Sequence, residues 1–131
     1  MIVGVGIDLV SVSRMKKILG QAWARRFVER VFTPQEIAQC SKTLKPEERF
    51  AGKFAAKEAA VKALGTGFSG GISPKQIMIT GGVKLKPSIL LSLMAKKVAE
   101  SMGIDNIVVS ISHTDGIASA IVIMEKTLRN F

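Results

Sequence analysis

The spacing of hydrophobic residues predicts strands at both ends of the chain and helices between them. Large apolar side chains occupy every second position of 2–10, which predicts a strand with one strongly apolar side. Asp8 lies near the end of that strand, on its opposite, glycine-lined side. Two further strands are predicted over 107–112 and 117–124, and the turn residues at 113–116 are a strong hairpin signal between them.

Helix start and stop signals divide the middle of the chain. Ser13 is the predicted N-cap of the first helix, and Ser88 opens the last one. Thr33 and Glu36 have the spacing of a capping box, and Gly65 is placed to end a long central helix. The predicted helices cover 13–20, 21–31, 34–42, 46–64 and 88–102.

The remaining middle segments predict a loop, a strand and a turn. Residues 66–71 are too rich in glycine for regular structure and predict a mobile loop, residues 75–80 alternate as a strand, and Gly81-Gly82 marks a turn. The fold class is therefore α+β, with a largely antiparallel sheet packed against a long helix. With 131 residues and 47% hydrophobic content, we expect a single domain over 1–131.

Composition excludes several classes of protein and site. No stretch approaches the ~20 apolar residues of a membrane span, and the N-terminus lacks the pattern of a signal peptide, so we expect a cytoplasmic protein with no membrane partner. Cys40 is the only cysteine and His113 the only histidine, which rules out an internal disulfide and a Cys/His zinc cluster. Any metal would have oxygen ligands.

The net charge of +9 indicates an acidic partner. The charge is concentrated in one short segment whose only acid is Glu29; its basic residues are Arg14, Lys16, Lys17, Arg25, Arg26 and Arg30. The simpler alternative is a solvated helical face that aids solubility.

Glu58 is the most unusual residue of the central helix. At about 100° per residue it projects from the same stripe as Phe54 and Val61, with Lys62 as its one basic neighbour there. An ionised carboxylate in apolar surroundings costs several kcal/mol unless a cation or hydrogen-bond donors compensate it. A second charged group should therefore approach Glu58 from elsewhere in the chain.

Asp8 is the candidate for that second group. Two converging carboxylates repel each other, and the simplest neutralisation without Cys or His is a hard divalent cation such as Mg²⁺, which also binds the oxygens of substrate phosphates. Lys62, one turn beyond Glu58, is placed to contact such a phosphate. The alternatives are a surface ion pair between Glu58 and Lys62, and an Asp8 that only caps the turn after its strand.

Three motifs together resemble the holo-acyl-carrier-protein synthase family, the small single-domain branch of the 4′-phosphopantetheinyl transferases. They are Gly4-Val5-Gly6-Ile7-Asp8-Leu9-Val10 with Arg14, the run from Phe54-Ala55-Ala56-Lys57-Glu58-Ala59 to Lys62-Ala63-Leu64-Gly65-Thr66-Gly67, and Ser110-Ile111-Ser112-His113. The segment Val31-Phe32-Thr33 with Glu36 also resembles the family. The likeness spans nearly the whole chain.

This resemblance implies transfer of the phosphopantetheine arm of coenzyme A to a serine of an apo acyl carrier protein, with release of adenosine 3′,5′-bisphosphate. It implies that Asp8 and Glu58 bind Mg²⁺ and that Lys62 contacts the diphosphate. The general base stays open between Glu58 and a metal-bound water. The pathway of the carrier, fatty acid or secondary-metabolite synthesis, also stays open.

The resemblance further implies that Lys53, His113 and Thr114 bind coenzyme A phosphates. A solvated surface lysine is an equal alternative for Lys53, which lies across the helix from Glu58, and a hydrogen-bonded turn residue is the alternative for His113. We expect Lys57 to be a solvated or snorkelling side chain, with a supporting role left open.

The family also implies an acidic carrier that docks on Arg14, Arg25 and Arg26, and a homotrimer with active sites between subunits. Two departures affect the coenzyme A contacts: the family's Gly-Lys-Pro segment is Leu85-Lys86-Pro87, and its aromatic residue after the loop is Pro74.

Two rival functions fit the sequence less well. A non-catalytic module that binds RNA or DNA would account for the basic charge, but the chain has 5% aromatic residues, no tyrosine and no nucleic-acid motif. A degenerate, non-catalytic subunit is disfavoured because the motif positions keep functional residue types.

Overall fold

The computed structural model describes residues 1–81 and 85–128. These residues have an α+β fold, built largely from the helices and strands that local sequence signals predict. Its elements are β1 (Ile2–Ser11), α1 (Val12–Leu19), α2 (Ala24–Val31), α3 (Pro34–Ser41), α4 (Pro46–Leu64), β2 (Ile77–Thr80), β3 (Ser88–Leu91), α5 (Leu93–Ser101), β4 (Asn106–Thr114) and β5 (Ile117–Glu125). A single 3₁₀ turn, Pro74–Gln76, precedes β2. The predicted fold class is confirmed.

The strands form two antiparallel sheets. The larger sheet has the order β1-β5-β4, and the smaller one pairs β2 with β3. The predicted hairpin between β4 and β5 is present, but its turn contains only Asp115 and Gly116, at φ 48° and 76°. His113 and Thr114 continue β4 because they pair with β5 residues.

Helix α4 packs on the glycine-lined side of β1. A Cβ atom at Gly4 would lie 2.0 Å from the carbonyl oxygen of Ala63, and one at Gly6 would lie 1.8 Å from that of Ala59. Only glycine permits this approach, so the two backbones touch where α4 crosses the strand. The strongly apolar side of β1 consequently faces away from the helix, and Ile7 and Leu9 are 60% and 66% exposed.

Most of the predicted helix ends are confirmed. Thr33 and Glu36 make both hydrogen bonds of the capping box that starts α3. Gly65 follows α4 in the left-handed conformation, with φ 78°. The predicted cap of α1 was wrong by two residues, because Ser11 accepts the hydrogen bond from the Arg14 backbone N–H at 3.2 Å.

The predicted helix over 88–102 was wrong in its first turn. Residues Ser88–Leu91 form β3, which pairs with β2, and α5 begins only at Leu93. Ile89 and Leu91 are half-buried against the core while Ser88 and Leu90 are exposed, which is the alternation of a strand. The strand predicted over 75–80 likewise begins only at Ile77.

Residues 66–71 have no regular structure, as predicted, and Gly82 of the predicted turn lies outside the described residues. Among residues 1–81 and 85–128, no helix has the length and apolar character needed to cross a membrane.

The contact between β1 and α4 can be tested with Gly6→Ala. The added methyl group would overlap the Ala59 carbonyl, so we expect the free energy of unfolding to fall by about 3 kcal/mol or more in urea denaturation. Gly20→Ala is the matched control, because its Cβ would meet nothing closer than 3.6 Å and its φ is −88°. Equal stability of the two variants would contradict this account.

Candidate active site

The approach of α4 to β1 brings the two predicted carboxylates to one cavity. Asp8 and Glu58 both line a cavity of about 360 Å³ beside these two elements. Its other lining residues are largely apolar and come from β1, α1, α2 and α4: Leu9, Val10, Ser11, Arg14, Met15, Ile18, Phe27 and Phe54. The predicted convergence of two acids distant in sequence is therefore present within a single chain.

Lys62 joins this pair through Asp8. Its Nζ atom donates hydrogen bonds to Asp8 Oδ1 and to the Ile7 carbonyl, both at 3.0 Å. The alternative of an ion pair between Glu58 and Lys62 is not formed among the described residues. Half of the Lys62 side chain remains exposed, so its ammonium is bonded to a residue of the cavity and still reaches solvent.

Glu58 is the carboxylate with the least compensation. It is half-buried, and burial is the main reason why its pKa is raised above the ordinary value. The negative charge of Asp8 raises the pKa further, and the positive charge of Lys62 opposes the shift. A cation placed between the two carboxylates would remove both penalties on the ionised form.

The donor set fits a hard divalent cation. No group of three or more His, Cys, Asp or Glu side chains suited to a metal occurs in residues 1–81 and 85–128. Mg²⁺ does not need such a group, because it commonly uses one or two carboxylates and completes its shell with water and phosphate oxygens. Asp8 and Glu58 match this requirement.

A second cavity lies along the other side of α4. It also has a volume of about 360 Å³, and its residues come from α4, β4 and the segments around β2: Glu48, Arg49, Gly52, Lys53, Ile79, Gly81, Pro87, Ile111, Ser112 and His113. The two cavities share no lining residue. The structure therefore separates the predicted metal ligands from His113 and Lys53 within one chain.

The alternative of a solvated Lys53 is wrong. Its side chain is 7% exposed and its Nζ atom donates three hydrogen bonds, to Gln39 Oε1 at 3.0 Å, to the Ile79 carbonyl at 2.9 Å and to the Gly81 carbonyl at 3.3 Å. Burial lowers the pKa of this ammonium. Lys53 thus contributes positive charge to the second cavity while its donors are engaged by the protein.

His113 and Thr114 are placed at the end of β4. His113 lines the second cavity, and its Nδ1 atom lies 3.8 Å from Glu48 Oε2. It is a strand residue, so the alternative of a hydrogen-bonded turn residue is wrong. Thr114 is exposed and does not line that cavity.

Lys57 is the largest departure from expectation, because it is neither solvated nor snorkelling. Its side chain and that of Glu36 are fully buried, and they form an ion pair of 2.9 Å. Lys57 also donates to the carbonyls of Pro74 at 2.9 Å and Ile77 at 2.7 Å, and it lies 5.6 Å from the centroid of the Phe32 ring. Removing one partner of such a buried pair typically costs roughly 3–5 kcal/mol.

A signal for this pair was present in the sequence. The alanines of α4 cover one half of the helix, and Phe50, Val61 and Leu64 lie on the other half, which indicates a helix with little surface in water. A lysine buried in such a helix requires a buried acid. The sequence places Glu36 in a capping box and in a segment that resembles the family, and neither feature predicts its ion pair with Lys57. In the structure its Oε1 atom accepts from Thr33 N–H and Lys57, and its Oε2 atom accepts from Ile79 N–H.

The basic segment is exposed beside the first cavity. Arg14 lines that cavity, while Arg25 and Arg26 lie on the outer surface of α2. Arg25 forms an exposed ion pair with Glu29 at 2.9 Å. Arg26 borders a small apolar depression with Trp23 and Phe27, and Phe27 also lines the first cavity. The positive surface and the apolar cavity are therefore continuous.

Similar proteins are known both by sequence and by structure. Residues 4–118 match the model of the 4′-phosphopantetheinyl transferase superfamily. Holo-acyl-carrier-protein synthases of Solibacter usitatus and Desulfovibrio desulfuricans are 39% and 44% identical over 125 residues; these cover 95% of this chain and 99% and 98% of the relatives.

Solved structures of the same enzyme from other organisms have the same fold. The Neisseria meningitidis structure has a TM-score of 0.86 at 34% identity, with 96% of this chain and 100% of the other covered. The Helicobacter pylori structure, a complex with coenzyme A, has a TM-score of 0.80 at 36% identity, with 92% and 99% covered.

Proposed function

Because the chain belongs to the holo-acyl-carrier-protein synthase family of 4′-phosphopantetheinyl transferases, we propose that it modifies an apo acyl carrier protein with coenzyme A as donor. The 4′-phosphopantetheine group moves to a serine hydroxyl, and adenosine 3′,5′-bisphosphate leaves. The observation that carries this proposal is the cavity in which Asp8 and Glu58 converge, with Lys62 bonded to Asp8. Complexes of the Helicobacter pylori and Bacillus anthracis relatives with coenzyme A support the choice of donor.

The reaction explains why charged residues of both signs meet here. A bond forms between the serine oxygen and the β-phosphorus of the diphosphate, and the bond from that phosphorus to the bridging oxygen breaks. The serine proton passes to a general base, for which Glu58 is the candidate within the chain. Negative charge grows on the leaving phosphate, which an ammonium beside Asp8 can stabilise. Lys62 is bonded to Asp8 and has half of its side chain exposed.

We propose that Asp8 and Glu58 hold Mg²⁺. The ion would supply charge neutralisation for the diphosphate oxygens. The chain itself holds the two carboxylates together without enough hydrogen-bond donors to satisfy both of them. The raised pKa of Glu58 supports this interpretation. On the other side of α4, His113 would face the nucleotide end of the donor, and Thr114 would contact it from outside the cavity.

The basic segment is proposed to bind the acidic carrier. Arg14 lies at the edge of the reactive cavity, and Arg25 and Arg26 continue the positive surface along α2. Such a surface mainly raises the rate of encounter and makes it sensitive to salt. The apolar floor beside it, formed by Met15, Phe27 and Phe54, is suited to an apolar side chain of the docked partner.

We propose a homotrimer, the assembly that the family resemblance implies, and the exposed apolar side of the larger sheet supports association of copies. Its residues lie on the side away from α4 in three adjacent strands: Val5, Ile7, Leu9, Val108, Ile117 and Ile121. Contiguous apolar surfaces of this kind mark protein interfaces. Association would also let the Asp8 cavity of one copy lie beside the His113 cavity of another, which one chain keeps apart.

The transfer can be measured by mass spectrometry. With coenzyme A, Mg²⁺ and an apo carrier, we expect the carrier to gain about 340 Da, the mass of the transferred group. Glu58→Gln keeps the size of the side chain but removes the ligand charge, so the rate should fall by about a hundredfold or more with little change in melting temperature. Glu100→Gln on the exposed surface of α5 is the control. A fully active Glu58→Gln would refute the site, and no mass gain with several carriers would refute the function.

The carrier surface can be tested by charge reversal of Arg14 and Arg26 to Glu. We expect the apparent KM for the carrier to rise about tenfold, with a weaker dependence on salt, while the KM for coenzyme A stays within about twofold. Reversal of Lys96 and Lys97 on α5 changes the charge equally and should leave both values unaltered. An unchanged KM for the carrier would remove these arginines from the interface.

The proposed trimer can be tested with Ile7→Glu, which places a charge in the middle of the exposed apolar surface. We expect this variant to sediment as a monomer and to lose transfer activity, because a buried unpaired charge opposes association. Leu44→Glu, at a fully exposed position outside the sheet, should sediment like the wild type. If the wild-type protein is itself a monomer in sedimentation, the proposed assembly is wrong.

A further inference from the structure

The second cavity is rich in positive charge. Three of its side chains are basic, namely Arg49, Lys53 and His113, and only Glu48 is acidic. Glu48 lies 3.8 Å from both Lys45 Nζ and His113 Nδ1, so its charge is shared with these two neighbours. A cavity of this composition is suited to an anionic group of a ligand.

Lys53 does not have a donor to offer to that group. An ammonium carries three N–H donors, and all three of Lys53 are directed to protein oxygens on Gln39, Ile79 and Gly81. A ligand oxygen would have to replace one of these buried bonds and leave a carbonyl unsatisfied. The position of Lys53 thus favours a structural role.

That role is to close one edge of β2. Hydrogen-bonding groups of a strand alternate between its edges. The Gln76 carbonyl accepts from the Ser92 N–H, directly after β3, so Ile77, Ile79 and Gly81 present their groups to the edge away from β3. No strand of the described residues pairs there. Lys57 bonds the Ile77 carbonyl, Glu36 accepts from Ile79 N–H, and Lys53 bonds the carbonyls of Ile79 and Gly81.

These three side chains replace a neighbouring strand, and they fix the wall of the cavity. Ile79 and Gly81 belong both to this closed edge and to the cavity lining. Glu36 and Lys57 are fully buried, and no buried side-chain nitrogen or oxygen among the described residues lacks a hydrogen bond. Displacement of Lys53 would therefore shift the wall as a whole.

Arg49 differs from Lys53 because the described residues do not engage its hydrogen-bond donors. It is half-buried and lines the same cavity, one turn before Lys53 on α4, and none of residues 1–81 and 85–128 forms a hydrogen bond or ion pair with its guanidinium. A guanidinium offers a planar pair of donors that matches two oxygens of a phosphate. Its charge already acts on this region, since it helps to lower the pKa of Lys53.

The geometry points to a division of roles in which Arg49 contacts a phosphate of the donor and Lys53 is a positioning residue. This assignment rests on the proposed function, in which coenzyme A is the donor. Its diphosphate reacts at Asp8 and Glu58, which leaves the 3′-phosphate of the ribose for a separate cationic cavity. In the proposed trimer, that cationic cavity belongs to the neighbouring copy, whose Arg49 and His113 would lie beside the Asp8 cavity.

Calorimetric binding of coenzyme A and of dephospho-coenzyme A, which lacks the 3′-phosphate, tests this division without the transfer step. We expect Arg49→Ala to weaken coenzyme A binding about tenfold or more and to change dephospho-coenzyme A binding less than about twofold. Arg49→Lys keeps the charge but not the paired donors, so its loss should be intermediate. Lys97→Ala removes a cation from the surface of α5 and should bind both ligands like the wild type.

Lys53→Met keeps most of the apolar stem and removes the ammonium. We expect a lower melting temperature and an equal loss of affinity for both ligands, because the wall of the cavity moves. If this variant does not fold, Arg49→Ala alone still decides the assignment of the phosphate contact.

The assignment would be overturned by Arg49→Ala binding coenzyme A as tightly as the wild type, or by wild-type protein that does not distinguish the two ligands. It would also be overturned by a stable Lys53→Met that loses affinity for coenzyme A alone. Binding is measured here without a carrier. Suppose that the protein binds coenzyme A more tightly than dephospho-coenzyme A but transfers no group to any carrier. That result would reject the proposed function and keep the role of Arg49.

Discussion

The contact between α4 and β1 is the constraint on which the site depends. Gly4 and Gly6 let the helix backbone touch the strand, and any side chain at either glycine would overlap a carbonyl oxygen of α4. This contact sets the distance from Asp8 at the end of the strand to Glu58 and Lys62 on the helix. If the side of β1 that carries the large apolar residues had faced the helix, Asp8 would have pointed away from Glu58.

Three charged residues of α4 differ in how the chain compensates them. Lys53 and Lys57 are buried, and carbonyl groups and the Glu36 carboxylate satisfy them fully. Glu58 is half-buried, and its burial, followed by the negative charge of Asp8, raises its pKa. The charges of Lys53 and Lys57 are satisfied within the chain and maintain the fold, whereas Glu58 is suited to the proposed cation.

The larger sheet uses its two sides for different purposes. The side toward α4 carries small residues such as Gly6 and Ala120 near Asp8, where close packing places functional groups. The other side carries Ile7 and Leu9, which a single chain leaves exposed. A strand of this pattern serves both a site and a surface for association. The alternation of residues in the sequence shows that the two sides of the strand differ, but it does not show which side the helix covers.

The sequence by itself determined the elements whose signals are local. The capping box at Thr33, the stop at Gly65 and the turn at Asp115 act within a few residues, and the resemblance in three motifs identified the family. Tertiary structure decided what depends on distant partners. Ser88–Leu91 became a strand because β2 pairs with it, and Lys57 became a core residue because Glu36, 21 positions earlier, meets it. A charged side chain on a helix has the same local pattern in water as in a core, and only the fold provides the partner that makes its burial possible.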